Sequence, residues 1–139
     1  ITGKSFEKIR ELIKKNKGKR IIFSSDNDEL NRKVLEKEKI NIFLINQQKR
    51  KDFLKQRNSG FNHVLAKIAK KNNISIGINL DEIIKEKAEI LSRIRQNIKL
   101  CNKNKLKMKF ICKENKRDIY DLRSLGLVLG MPTWMAKEL

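Results

Sequence analysis

Residues 61–80 read Phe61-Asn62-His63-Val64-Leu65-Ala66-Lys67-Ile68-Ala69-Lys70-Lys71-Asn72-Asn73-Ile74-Ser75-Ile76-Gly77-Ile78-Asn79-Leu80, and the change of period inside this stretch decides the fold. In its first half Phe61, Val64, Leu65, Ile68 and Ala69 recur at helical spacing, while Lys67, Lys70 and Lys71 fall off that stripe. From Ile74 to Leu80 the chain turns β-branched and apolar, the mark of a buried strand. A helix running straight into a buried strand is half of a βαβ unit.

Upstream the same alternation holds. Ile40-Asn41-Ile42-Phe43-Leu44-Ile45 reads as another buried strand, and Arg20-Ile21-Ile22-Phe23-Ser24-Ser25 as a third. Between them Leu30, Val34 and Leu35 give a helix, with Ser25 and Asp28 expected as its capping pair. Before them Phe6, Ile9, Leu12 and Ile13 predict a helix ended by Gly18. Downstream, Asp81 is expected to cap one long helix to about Cys101, with Ile84, Ala88, Leu91, Ile94 or Arg95, Ile98 and Cys101 inward and Glu89 paired to Arg93 four residues on. A basic turn, 102–107, leads to a strand, Met108-Lys109-Phe110-Ile111-Cys112. Asp121 to Leu125 reads as a short helix, Leu127-Val128-Leu129-Gly130-Met131 as a fifth strand, and a further helix starts near Pro132.

The fold class is therefore α/β, with alternating βα units and parallel strands joined by right-handed crossovers. Five units fall short of the eight in a closed barrel, so the periodicity allows either a partial TIM-like barrel or a small open sheet. The 139 residues fit one domain, 1–139. The chain does not begin with Met, and both termini are expected to be incomplete.

Composition narrows the partners. Lys and Arg number 34 against 16 Asp and Glu, a formal charge of +18, and a field that dense draws polyanions. Membrane is disfavoured: no apolar run approaches the roughly 20 residues of a span, and no basic helix face backs a large exposed apolar one. Nucleic acid remains. Cys101 and Cys112 fit no disulfide framework or metal motif and are read as small buried hydrophobes in a reducing cytoplasm.

Catalytic machinery is not legible. A lone histidine, His63, cannot build a multi-metal phosphoesterase centre and is read as a helix-terminus hydrogen-bonding group. Asp26, Asp28 and Asp81, at strand ends, fit helix N-caps. No phosphate-binding glycine loop and no nucleophile elbow occurs. The positive signal is basic: Lys49, Arg50, Lys51, Lys55 and Arg57 after the second strand, Lys113, Lys116 and Arg117 after the fourth, and groups at Lys14–Arg20 and Lys103–Lys107. Any one of these lysines is ordinarily a solvated charge, and only their sum calls for a polyanion. Few aromatics are available for base stacking, so backbone or shape recognition of RNA is expected.

Two segments carry a resemblance. They are Arg57-Asn58-Ser59-Gly60-Phe61-Asn62-His63-Val64-Leu65-Ala66-Lys67 with the strand Ile76-Gly77-Ile78, and Arg117-Asp118-Ile119-Tyr120-Asp121-Leu122-Arg123-Ser124-Leu125-Gly126-Leu127-Val128-Leu129-Gly130-Met131. From about residue 18 to about 136 the chain resembles protein component 3 of ribonuclease P, a family shared by archaea and eukaryotes. The resemblance implies a TIM-barrel-like fold without the metal site of related phosphatase domains. It implies partnership with ribonuclease P RNA and other ribonuclease P protein subunits, and indirectly with precursor tRNA. It places no cofactor on the chain, since Mg²⁺ would act on the catalytic RNA. Carried over by motif, Arg57 and Arg117 would meet RNA phosphate, together with Lys49, Arg50, Lys51, Lys55 and Lys113 from the basic clusters. Asn62, His63, Tyr120 and Asp121 match the family's remaining polar positions, with Asn62 and His63 open to a loop-ordering role and Asp121 to a cap. The family usually has a further one or two strand–helix units ahead of this stretch and some chain beyond Leu139, so barrel closure stays open. A general basic RNA-binding protein, such as a ribosomal one, is the alternative, and a metal-dependent phosphoesterase a weaker one.

Overall fold

A computed structural model of the chain describes residues 5–25, 27–47, 60–84, 88–112 and 117–139. Its elements run α1 (Phe6–Lys15), β1 (Ile22–Phe23), α2 (Asp28–Lys37), β2 (Ile42–Ile45), α3 (His63–Lys71), β3 (Ser75–Asn79), α4 (Leu80–Ile84), α5 (Ala88–Lys103), β4 (Met108–Ile111), α6 (Ile119–Leu129) and α7 (Thr133–Lys137). The strands pair in parallel in the order β1-β2-β3-β4.

That order separates the two architectures left open by periodicity. When each parallel strand is added beside its predecessor in one direction, right-handed crossovers put the connecting helices on the same side. The sheet is therefore wound as a barrel is, with helices outside, and lacks the direction reversal of a doubly wound sheet. Register shows the two faces. Phe23, Phe43, Ile76 and Met108 align across the four strands and pack with Ile9, Val34, Leu35, Leu65, Ala69, Ile94, Ile98 and Cys101 from the helices. The Phe23 and Phe43 rings stack with centroids 6.1 Å apart. The opposite row, Leu44–Gly77–Lys109, faces the concave side. A Cβ on Gly77 would sit 3.0 Å from Ile42 Cγ2 and 3.2 Å from the Leu44 Cα, so glycine is what lets this row close up.

Four expectations are corrected. Leu127–Met131 is not a fifth strand. Asp118 caps α6 by accepting from the Asp121 amide at 2.9 Å, and the helix runs to Leu129 before Gly130 ends it at φ 105°. A short apolar run suits helix or strand equally, and the cap tips the balance. Here Leu129 is buried, while Leu127 and Val128 are 52% and 74% exposed. Second, Asn27 caps α2, accepting from the amides of Glu29 and Leu30, while Ser25 Oγ accepts from the Asn27 amide. Third, the helix expected from Asp81 starts at Leu80, and residues 85–87, between α4 and α5, lie outside the described residues. Asn79 Oδ1, not Asp81, accepts the amide at its start. Ile84, expected inward, is 39% exposed, and Ala88 is exposed too. Fourth, Val64 stands 50% exposed instead of joining the α3 stripe.

Three helices end on the same turn. Met131 N donates to Gly126 O, Ile74 N to Ala69 O and Leu106 N to Cys101 O, each beside a second bond one residue shorter at both ends. This is the Schellman arrangement, which needs a left-handed residue after the cap. Gly130, Asn73 (φ 53°) and Lys105 (φ 55°) take that position. Glycine and asparagine suit it, while a lysine there costs about 1 kcal/mol.

Candidate nucleic-acid interface

At the carboxyl ends of the strands, where barrel enzymes keep their catalytic groups, this chain places amides. Asn46 Nδ2 donates to Ser24 Oγ at 2.8 Å, and Asn79 Nδ2 donates to Asn46 Oδ1 at 3.0 Å. Side chains at the carboxyl ends of β1, β2 and β3 are thus linked in one row across the sheet. Beside it, Gln47 is held by its own peptide. Its N–H donates to both carboxylate oxygens of Glu82, at 2.8 and 3.1 Å, and its C=O accepts from Arg93 Nη1 at 3.1 Å. Glu82 and Arg93 are 4% and 2% exposed. Arg93, read from the sequence as the partner of Glu89, is therefore turned inward. A buried charge is tolerated only when paired or well hydrogen-bonded, and these two do it by clamping the residue that leads from β2 toward 48–59. Among the described residues no three His, Cys, Asp or Glu side chains come together as metal ligands.

Of the residues expected to meet RNA, Lys49, Arg50, Lys51, Lys55, Arg57 and Lys113 lie outside the described residues. Arg117 is exposed just ahead of the α6 cap. Tyr120 (73% exposed) and Asp121 lie in the first turn of α6, so the polar residues of the second motif gather at one exposed helix start. Asp121 is not the cap, since Asp118 is. In the first motif Asn62 caps α3, accepting from the Leu65 amide at 2.9 Å. It therefore orders the loop-to-helix entry. His63 is exposed as the first residue of that helix; the cap hydrogen bond expected of it belongs to its neighbour. Cys101 is buried, which pushes its thiol pKa up and keeps it protonated.

The opposite rim gathers a large share of the described positive charge. Lys17, Lys19 and Arg20 precede β1, Lys37 and Lys39 precede β2, Lys70 and Lys71 precede β3, and Lys103, Lys105 and Lys107 precede β4, all exposed. Among the acidic residues, Asp28 and Glu29, Asp81 and Glu82, and Asp118 and Asp121 sit at or ahead of helix starts, on the carboxyl side of the sheet, while Glu36 and Glu38 lie at the end of α2 with the lysines. Helix dipoles explain part of this sorting, since N-termini favour anions and C-termini cations. The sequence contained the signal, because the lysines cluster in the turns before strands. It is visible only once the strands are known to be parallel. No helix among the described residues is long and apolar enough to cross a membrane.

The likeness inferred from the motifs holds against known proteins. No family model matches the sequence. The chain is 26% identical over 136 residues to ribonuclease P protein component 3 of Methanococcus vannielii, covering 94% of this chain and 55% of that protein. It is 27% identical over 122 residues to the protein of the same name from Methanothermobacter thermautotrophicus, covering 85% and 46%. In structure it is similar to a chain in the cryo-EM structure of archaeal ribonuclease P with mature tRNA, with a TM-score of 0.81, 26% identity, and coverage of 99% of this chain and 61% of that one. This chain spans about half the length of the curated relatives it matches.

Proposed function

We propose, taking that likeness as the premise, that this chain acts as a protein subunit of ribonuclease P, the ribonucleoprotein that removes the 5′ leader from precursor tRNA. The observation that carries the reading is the structural match over 99% of the chain to a component of an archaeal ribonuclease P. The formal charge of +18 supports it, since a catalytic RNA is the polyanion such a surface would neutralise. In this reading the chain works in the cytoplasm, binds ribonuclease P RNA and other protein subunits, and meets precursor tRNA indirectly.

The chemistry belongs to the RNA and its Mg²⁺, and this chain supplies no active site. Two features support that division. Among the described residues, the carboxyl rim of the sheet is occupied by amides and by a buried carboxylate and guanidinium engaged in holding the Gln47 peptide. Asp28 and Glu29, Asp81 and Glu82, and Asp118 and Asp121 are spread over three separate helix starts. The chain's role is electrostatic and geometric: it offsets phosphate repulsion and holds RNA elements in place.

Reconstitution tests this. The particle is assembled from ribonuclease P RNA and the remaining protein subunits, with and without this chain, and precursor-tRNA cleavage is timed. Omission is expected to slow cleavage, and the chain alone to cleave nothing. Equal rates with and without it would remove the subunit reading. Chelator-sensitive cleavage by the isolated chain would replace it with a metal-dependent phosphoesterase.

A further inference from the structure

Where α3 and α5 end side by side, the surface opens into a cleft of about 270 Å³. Lys70, Lys105 and Lys107 line it with Asn73 and Ser75, over the buried side chains of Ile74 and Leu106. No acidic residue is among its walls. Lys70 Nζ donates to the Lys105 carbonyl at 3.1 Å, which ties the two helix ends together and answers one of the carbonyls that would repel an anion.

We propose that this cleft is a phosphate site, and that its ligand is a backbone phosphate of structured RNA, bound at the end of the sheet opposite the motif residues. The proposal rests on the ribonucleoprotein reading above and adds the surface used. Three lysines supply the charge, and Asn73 and Ser75 add neutral polar groups in a concave, partly screened setting where phosphate interactions are less diluted by water.

Helix C-termini attract lysines in any case, and that accounts for Lys70. It does not account for Lys105. Of the three residues in the Schellman position, two are of the kinds that fit, Asn73 and Gly130, and the third is a lysine at φ 55°. Local conformation argues against it there, and a residue kept against local preference points to use. Lys107 reaches Glu138 at 3.4 Å, but both side chains are half or more exposed, so the pair holds weakly and yields to a phosphate.

The test uses the full chain and two probes, inorganic phosphate and an A-form RNA duplex. Lys105→Gly is expected to raise the melting temperature by about 2 °C while weakening duplex binding about tenfold at low salt and making the salt slope shallower by about 0.7–0.9. That opposite movement is one a purely structural lysine would not produce. The double variant Lys70→Gln/Lys107→Gln should weaken duplex binding well beyond Lys14→Gln/Lys15→Gln, which removes the same charge from α1. Equal losses in the two doubles, or an unchanged salt slope in Lys105→Gly, overturn the proposal. If the wild-type chain ignores duplex RNA, the ribonucleoprotein reading fails on its own. Saturable phosphate-induced shifts of the Asn73 and Ser75 amide resonances, lost in the cleft double, would then still uphold a phosphate site, and their absence would overturn it.

Discussion

The two rims of this sheet are built from opposite materials. At the carboxyl rim Ser24, Asn46 and Asn79 hand hydrogen bonds across three strands, and Glu82 and Arg93 are sealed against the Gln47 peptide. At the amino rim every strand is entered past exposed lysine. Among the described residues, the first rim spends Ser24, Asn46, Asn79, Glu82 and Arg93 on hydrogen bonds within the fold. The second has charge in excess and few internal partners for it. A barrel-type fold does not fix which end does the work. Among the described residues, the end that houses chemistry in barrel enzymes serves structure, and the opposite end gathers exposed lysines ahead of each strand.

The contrast breaks most readily at Arg93. Arg93→Leu takes a charged donor away from the buried Gln47 carbonyl, so urea unfolding should show a loss of about 3 kcal/mol. A loss under 1 kcal/mol would mean that this rim is not sealed. Asn46→Ala cuts the row at its centre, deleting one donor to Ser24 and one acceptor from Asn79. A loss of about 2 kcal/mol is expected by the same measurement. Lys71→Gln, on the amino rim, should cost only about 0.3–1 kcal/mol, from the helix dipole, and that cost should fade as salt is raised. A large, salt-independent loss there would erase the distinction between the rims.

The smallest expected effect concerns Lys109, on the concave face. Burial lowers its pKa, the positive charges of Arg20 and Lys107 lower it further, and Glu138 opposes them. Its folded value therefore lies below the ordinary 10.5. Between those two values the unfolded chain binds more protons than the folded one, so stability should rise with pH across that window. Lys109→Gln should flatten the rise in a pH series of thermal melts, and an unchanged series would put Lys109 in open solvent.

Much of this was legible in the chain itself. The stretch 61–80 reads correctly as helix into strand, because Leu65 and Ala69 repeat at helical spacing and Ile76 and Ile78 at strand spacing. The caps were harder. Ser25, Asp28 and Asp81 all have cap chemistry, yet Asn27 and Asn79 do the work, since a cap is chosen by backbone geometry as well as by residue type. Leu127–Met131 failed for a different reason. Its apolar run carries no period of its own, and the Asp118 cap nine residues upstream decided it.

What the sequence alone determined is what local pattern and summed charge can carry: alternating helices and strands, a parallel sheet, and a surplus of cations seeking a polyanion. Tertiary structure decided the rest. Which way each strand is added, why Arg93 turns inward, and which lysines share a cleft all depend on partners far apart in the chain. Gln47 meets Glu82 across 35 residues and Arg93 across 46, and Lys70 meets Lys105 across 35. Local preference is written within a few neighbouring residues. Those pairings form only when whole elements pack, so burial and topology select them and no short window of the sequence contains them.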